Sequence, residues 1–200
     1  MMSKRTATFA LSLLTLVVTA GLLMAGDEKA AAPTAADEAM MAAMTPGEHH
    51  EHLAATAGNW EVALKMWMDP SQTEPVESTG TAKFYPVMGG RYMVQEYSGD
   101  WMGMEFTGRG TTGYDNLAGK YVSTWVDNMS TTISMESGHC DGTGRKYDWA
   151  GEMPDPISGD MVKTRTEQTI EGNRMRLTSY AVTDGGERKM MEIVYTRKSS

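Results

Sequence analysis

"GNWEVALKMWMD", residues 58 to 69, alternates its side chains in character. Trp60, Val62, Leu64, Met66 and Met68 fall on one face, and Glu61, Ala63, Lys65 and Trp67 on the other. A period of two predicts a strand with one buried face, because successive side chains of an extended chain point to opposite sides. The texture continues in "TGTAKFYPV", "RYMVQEYSG", "WMGMEFTGRG", "KYVSTWVDN", "TTISMES", "RKYDWAGEM", "DMVKTRTEQTI", "RMRLTSYAVT" and "RKMMEIVYTRK". All are short and rich in Tyr, Thr, Val, Met or Trp, residue types that suit a pleated, half-buried surface. Between them stand "MGG" at 88–90, "YDNLAGK" at 114–120, "CDGTGRK" at 140–146, "PDPISGD" at 154–160, "EGN" at 171–173 and "TDGGE" at 183–187. Each supplies Gly, Asn or Asp where a hairpin needs positive φ. About ten strands joined by tight turns predict an all-β, up-and-down antiparallel sheet. With no helix to cover it, such a sheet buries its apolar face by closing into a barrel. A two-sheet sandwich is the other solution.

Immediately upstream, "TPGEHHEHLAATAG" predicts a short helix leading into the first strand. Thr45 suits the N-cap, Pro46 the first helical position and Glu48 the reciprocal partner of a capping box, and Gly58 ends the segment. Three of the four histidines lie here. His49 and His52, at i and i+3, could reach one ion, as could His52 with Glu48. Zinc in a structural site takes four ligands, and His139 and Cys140, in a distant hairpin turn, are the only other soft candidates. His49 and His52 are therefore weak metal candidates, and exposed histidines on a first turn are ordinary.

The N-terminus is organised differently. Lys4 and Arg5 precede an apolar run from Phe9 to Ala25 that ends in small residues. This is the layout of a signal peptide over residues 1–25, with cleavage after Ala25 or Ala20. The run is short for a membrane span, so no stable membrane insertion is expected after cleavage. Asp27 occupies the place where a lipoprotein would carry its lipidated Cys. Residues 26–45 are Ala-rich and acidic, with Pro33 inside, and read as a disordered tether. A helix over 35–44 would have little to bury. Residues 46–200 form the folded domain. The expectation is an exported protein, periplasmic or secreted.

Cys140 is the only cysteine, so stability must come from the core without an intramolecular disulfide. The net charge is −8; the leader removes Lys4 and Arg5, so the exported part carries −10. That sign repels phosphate backbones, which argues against nucleic acid and anionic membranes as partners.

A short helix followed by Gly58-Asn59-Trp60 at the start of an antiparallel barrel resembles the lipocalin and calycin signature. That resemblance implies that Trp60 closes one end of the barrel and that a basic residue of the last strand, Arg197 or Lys198, packs across it. More extensively, "GEHHEHLAATAGNWEVALKMWMDP", "GGRYMVQEYSGDWMGMEFTGRGTTGYDNLAGKYVSTWVDNMST" and "GEMPDPISGDMVKTR…MEIVYTRK" resemble domain-of-unknown-function family 1579, over about residues 46–198. The resemblance implies a calycin-like barrel, membership among bacterial proteins that are often exported, and no established activity. His52 matches a recurring position of the family pattern.

The polar residues of interest lie where a barrel interior would be. Arg91, Gln95 and Tyr97 share one face of their strand, and Tyr121, Ser123, Trp125 and Asp127 share one face of theirs. If these faces point inward they line a cavity that a barrel of this size can enclose. If not, Arg91 and Asp127 are rim or surface ion-pair partners and Trp125 is core. Met104, in Met102-Gly103-Met104, joins Arg91, Tyr97, Tyr121, Trp125 and Asp127 as a candidate ligand contact.

Nineteen methionines are the compositional oddity. Met is adaptable apolar filler, and the plain expectation is that it fills the core. Thioethers also bind Cu(I), so Met66 and Met68 join the two histidines as weak metal candidates. No Gly-x-Ser-x-Gly occurs, and "GRGTTG" opens no helix, so neither a hydrolase elbow nor a phosphate loop is present. No cofactor is implied. The leading reading is non-catalytic binding of an unknown small, partly apolar molecule inside the barrel. The rivals are Met/His-based copper binding and an enzyme of unrecognised mechanism.

Overall fold

The computed structural model describes residues 32–69, 71–155 and 159–199. The expected signal peptide lies outside the described residues, as does the first part of the tether. Ten antiparallel strands close into a barrel in which each pairs with its neighbours in sequence and β1 pairs with β10. They are β1 (Gly58–Met66), β2 (Val76–Val87), β3 (Tyr92–Trp101), β4 (Met104–Asp115), β5 (Lys120–Asp127), β6 (Ser134–Cys140), β7 (Lys146–Pro154), β8 (Met161–Glu171), β9 (Arg174–Thr183) and β10 (Gly186–Arg197). They match the ten segments read from sequence one for one. Closure pairs Trp60 with Arg197 and Met66 with Met191, so no edge strand is left to solvent.

Among the described residues two helices precede the barrel, α1 (Ala35–Met44) and α2 (Glu48–Ala54). α1 has a capping box between Thr34 and Asp37 and buries none of its residues. Asn116 donates from its amide to the carbonyls of Ala42, Ala43 and Thr45, and Arg91 donates to Met44 O, so the last turn is tied to the barrel. α2 starts later than the capping-box reading placed it. Gly47 is its N-cap, and Thr45 instead caps the end of α1, its hydroxyl donating to Met41 O. The first turn of α2 is fastened by His50, whose Nδ1 accepts from Gly47 N at 3.0 Å.

α2 covers the end of the barrel at which β1 starts, hereafter the closed end. Leu53 and Thr56 are buried there. Trp60 is fully buried, and its Nε1 donates to Thr56 O at 3.0 Å. The Arg197 guanidinium lies 4.2 Å from the Trp60 ring centroid and donates to Ala55 O and Ala57 O. Gly58 has φ 137°, and a Cβ there would stand 2.6 Å from Arg197 Nη1. The guanidinium needs the space that a side chain at position 58 would fill, which is the physical content of the glycine in Gly-x-Trp.

Two apolar clusters fill the interior. One joins Trp60, Val62, Ala82, Tyr97, Met175 and Tyr195. The other joins Leu53, Met93, Tyr121, Tyr147 and Trp149.

Candidate functional site

Register decides what faces inward. Partners directly opposite in an antiparallel pair share a face, so the pairs Thr112↔Ser123, Ser123↔Glu136, Glu136↔Gly151 and Gly151↔Thr164 form one polar belt around the inner wall. Below it toward the closed end run Tyr114, Tyr121, Tyr147 and Ile170. Between the belt and the aromatic layers lies a cavity of about 90 Å³. Its walls include Phe84, Met93, Tyr147, Trp149, Met175 and Tyr195, and its polar lining Gln95, Thr112, Ser123, Glu136 and Gln168. At about 30 Å³ per water, this is room for a few waters or a molecule of a few non-hydrogen atoms.

Most of the polar lining is paired internally. Gln95 Nε2 donates to the Tyr195 hydroxyl at 3.0 Å, and Trp149 Nε1 donates to Gln168 Oε1 at 3.1 Å. The Thr112 and Ser123 hydroxyls are 2.9 Å apart. Burial pushes the Tyr195 phenol up to about 12, so it stays a neutral hydroxyl through the physiological range.

Glu136 is different. It is the only acidic or basic side chain lining the cavity among the described residues. The Thr166 hydroxyl donates to its Oε1 at 3.1 Å, and the Ser179 hydroxyl lies 2.8 Å from Thr166 Oγ1. With Thr166 donating to the carboxylate, Ser179 is left to donate to Thr166, so the chain of hydroxyls is polarised toward Glu136. No Lys, Arg or His pairs with it among the described residues. Desolvation raises its carboxyl above the ordinary range, against the opposing pull of Thr166 and Thr164. Glycine makes its room: a Cβ at Gly151 would stand 2.9 Å from Glu136 Cγ.

The six residues predicted as ligand contacts are scattered, and none of them lines this cavity. Tyr97 is buried with its ring against Gly80 and Gly99, and its hydroxyl has no hydrogen-bond partner among the described residues. Trp125 lies inward, flat on the wall of β4, where a Cβ at Gly108 would be 2.1 Å from its ring. Asp127 accepts from Trp125 Nε1 at 3.0 Å and fixes that ring. Tyr121 belongs to the closed end. Arg91 is exposed and bonds Met88 O and Met44 O, because its strand begins only at Tyr92 and its side chain lies outside the interior. Met104 is 51% exposed at the opposite end, the mouth.

Glu136 is hidden from a sequence reading because β6 inverts the usual pattern. In "TTISMES" the apolar Ile133 and Met135 are 66% and 56% exposed, while Glu136 faces in. The readable signal was Ser134-x-Glu136-x-Gly138 opposite Trp149 and Gly151: a face of polar and small residues beside large ones.

At the closed end the histidines have structural partners. His49 stacks on Tyr114 with ring centroids 3.9 Å apart, and its Nδ1 lies 2.9 Å from the Tyr121 hydroxyl. His52 Nδ1 approaches the same hydroxyl at 3.5 Å, and its ring rests on Gly144. His50 is buried, and desolvation lowers its pKa. Among the described residues no group of three or more His, Cys, Asp or Glu could hold a metal ion.

The methionines depart from the core-filler expectation. Among the described residues only Met93 and Met175 are core. Met68, Met102, Met104, Met129, Met135 and Met161 are all exposed, and alternation of strand direction places every one at the mouth. Met66 and Met191, partners across the barrel seam, are half-buried on the inner side of that rim.

A family model described as a protein of unknown function (DUF1579) matches residues 45–197. No curated protein matches the chain.

Proposed function

The chain belongs to the DUF1579 family of proteins of unknown function, and we propose that it is an exported barrel that binds a small, partly apolar molecule between its strands. The observation that carries this reading is the interior cavity of about 90 Å³, walled by aromatic rings and thioethers and given a few fixed polar groups. Apolar walls with a small number of placed polar atoms are what a binding site consists of. The Lys4–Arg5 start and the Phe9–Ala25 run support export. The volume restricts the occupant to a molecule far smaller than the roughly 300–1,000 Å³ pockets of drug-sized ligands. Native mass spectrometry of the exported protein tests both parts. A chain beginning near Gly26 or Gly21 with a small retained organic mass is the expected result. A chain that begins at Met1 removes export. A bare mass, with interior resonances unmoved by small solutes, removes binding.

The exposed methionines at the mouth favour one second reading, Cu(I) held by thioethers at the rim. The two readings use different properties of sulfur. A binding site for an apolar molecule needs soft volume, which Leu also supplies at a cost usually under about 1.5 kcal/mol. A Cu(I) site needs the sulfur lone pair. The Met66→Leu, Met68→Leu, Met102→Leu, Met104→Leu quadruple variant should therefore fold and keep its small-molecule binding. The wild type should yield Cu(I) to a moderate competing chelator. Wild type retaining copper where the variant loses it gives the copper reading precedence.

A further inference from the structure

We propose that the molecule bound in the barrel is a small organic cation, an amine or alkylammonium, whose charge is held by Glu136 and whose body packs against Trp149 and the neighbouring rings. This deepens the small-molecule reading and rests on it.

An ionised carboxylate in a partly dry interior is costly unless a cation compensates it. Glu136 has donors, Thr166 and the hydroxyl chain behind it, but no cation among the described residues. The donors stabilise the charged form and leave its formal charge uncancelled. The Glu136 site is therefore electrostatically incomplete in one particular way, lacking a single positive charge of a size the cavity admits.

The walls point the same way. Tyr147 and Trp149 stack with ring centroids 5.9 Å apart and 16° between their planes. Phe84 and Tyr195 stand edge to face at 5.7 Å across the cavity wall. Aromatic faces carry the negative side of the ring quadrupole, which attracts ammonium groups and repels anions. The thioethers of Met93 and Met175 add polarisable surface without charge. Among the described residues no lysine or arginine lines the cavity to compete for the carboxylate or to welcome an anion. The net charge of −8 further concentrates cations near the protein. Glu136 also retains partial exposure although its strand register turns it inward.

The test compares pairs of probes that differ only in carrying –NH3+ or –OH: methylammonium against methanol, and tert-butylammonium against tert-butanol. Binding to the full chain is followed through the Trp149 indole N–H resonance and by calorimetry. The ammonium member of a pair is expected to bind at least tenfold more tightly than its alcohol. Glu136→Gln, which keeps shape and removes charge, should erase that preference. In the unaltered protein, ammonium binding should weaken as pH falls and Glu136 takes up a proton, which keeps the test decisive if the variant does not fold. Equal binding of ammonium and alcohol, or a preference that survives both Glu136→Gln and acid, overturns the cation while leaving the small-molecule reading in place. If no probe of either kind binds, both readings fall.

Discussion

Trp60 and Arg197 form the joint on which the closed end depends, and their coupling can be worked out before it is measured. Trp60 is fully buried and donates its indole N–H to Thr56 O. Trp60→Ala therefore removes a large core side chain and a buried hydrogen bond, at a cost of about 3–5 kcal/mol. Arg197→Ala removes two charge-assisted hydrogen bonds to Ala55 O and Ala57 O and the stacking on Trp60. Hydrogen bonds to charged groups contribute about 1.5–3 kcal/mol each when buried, and a cation–π contact about 0.5–1 kcal/mol at exposed sites. Arg197 is partly exposed, so a total of about 2–3 kcal/mol is the reasonable figure once water re-solvates the freed carbonyls. Removing Trp60 first takes away the ring the guanidinium stacks on, so the double variant should lose about 0.5–2 kcal/mol less than the sum. Urea titrations of the four proteins give the cycle, with Trp60→Phe as a milder companion. Hydrogen exchange adds a local reading. Arg197→Ala should speed exchange in 48–57 more than in the β5–β7 strands, because the carbonyls it releases directly follow α2. Losses that add to within about 0.3–0.5 kcal/mol, or a near-neutral Trp60→Ala, refute the joint.

Three further outcomes follow from the geometry. Glu136→Gln should change the pH dependence of stability in a definite direction. A carboxyl raised on folding binds its proton more tightly in the native state, so the wild type loses stability as pH rises from the ordinary Glu range, about 4.3, through the raised native value. The variant lacks this loss, so the Tm difference, variant minus wild type, should grow between acid and neutral pH; a flat difference contradicts it. Met102→Asn should stabilise, because Met102 holds φ 54° ahead of Gly103 at φ 82° in the two-residue turn between β3 and β4. Left-handed backbone costs an ordinary L-residue about 1–2 kcal/mol and Asn less, and the exposed Met102 side chain gives up little, so a rise of about 1 kcal/mol in urea is expected. Gly108→Ala should dislodge Trp125, whose ring stands where the Cβ would be, and shift its fluorescence while Trp60 stays in place.

The strands were legible because alternation survives in most of them, and the turns because Gly, Asn and Asp carry conformational information locally. The Trp60–Arg197 joint was legible in part: Gly58 could be read, but its reason is the Arg197 side chain, 139 positions away in the chain, which no local pattern encodes. The site was much less so. Sequence places residues on faces, and a face reading says that Trp125 and Tyr121 point inward; it does not say how far along the barrel axis each sits. Trp125 lies toward the mouth, held by Asp127, and Tyr121 sits against the histidines, so the cavity falls between them. Glu136 was hidden by a strand whose apolar residues face water. The methionines misled for a related reason. Composition says nothing about position: strand direction brings Met68, Met102, Met104, Met129, Met135 and Met161 to the mouth, while Met88 is exposed at the closed end and Met40, Met41 and Met44 on α1.

The polar belt is the part of this molecule that stability does not call for. Each buried hydroxyl loses its water on folding and regains about 1 kcal/mol net from its bond, so a well-fitted pair such as Thr166 and Ser179 is near neutral against an apolar pair of the same shape. Glu136 is worse than neutral, since its charge meets no cation among the described residues. A barrel built only to be stable would fill this layer with apolar side chains, as the clusters around Trp60 and Tyr121 are filled mainly with aromatic rings and methionine. Instead the inner wall here combines a desolvated carboxylate, hydroxyls aimed at it, and glycine at 151 where a side chain would displace it. The small-residue wall and the hydroxyl chain both make sense if Glu136 must stay inward and ionisable. A stability cost concentrated in one layer, beside the cavity, is what a site prepared for a solute requires.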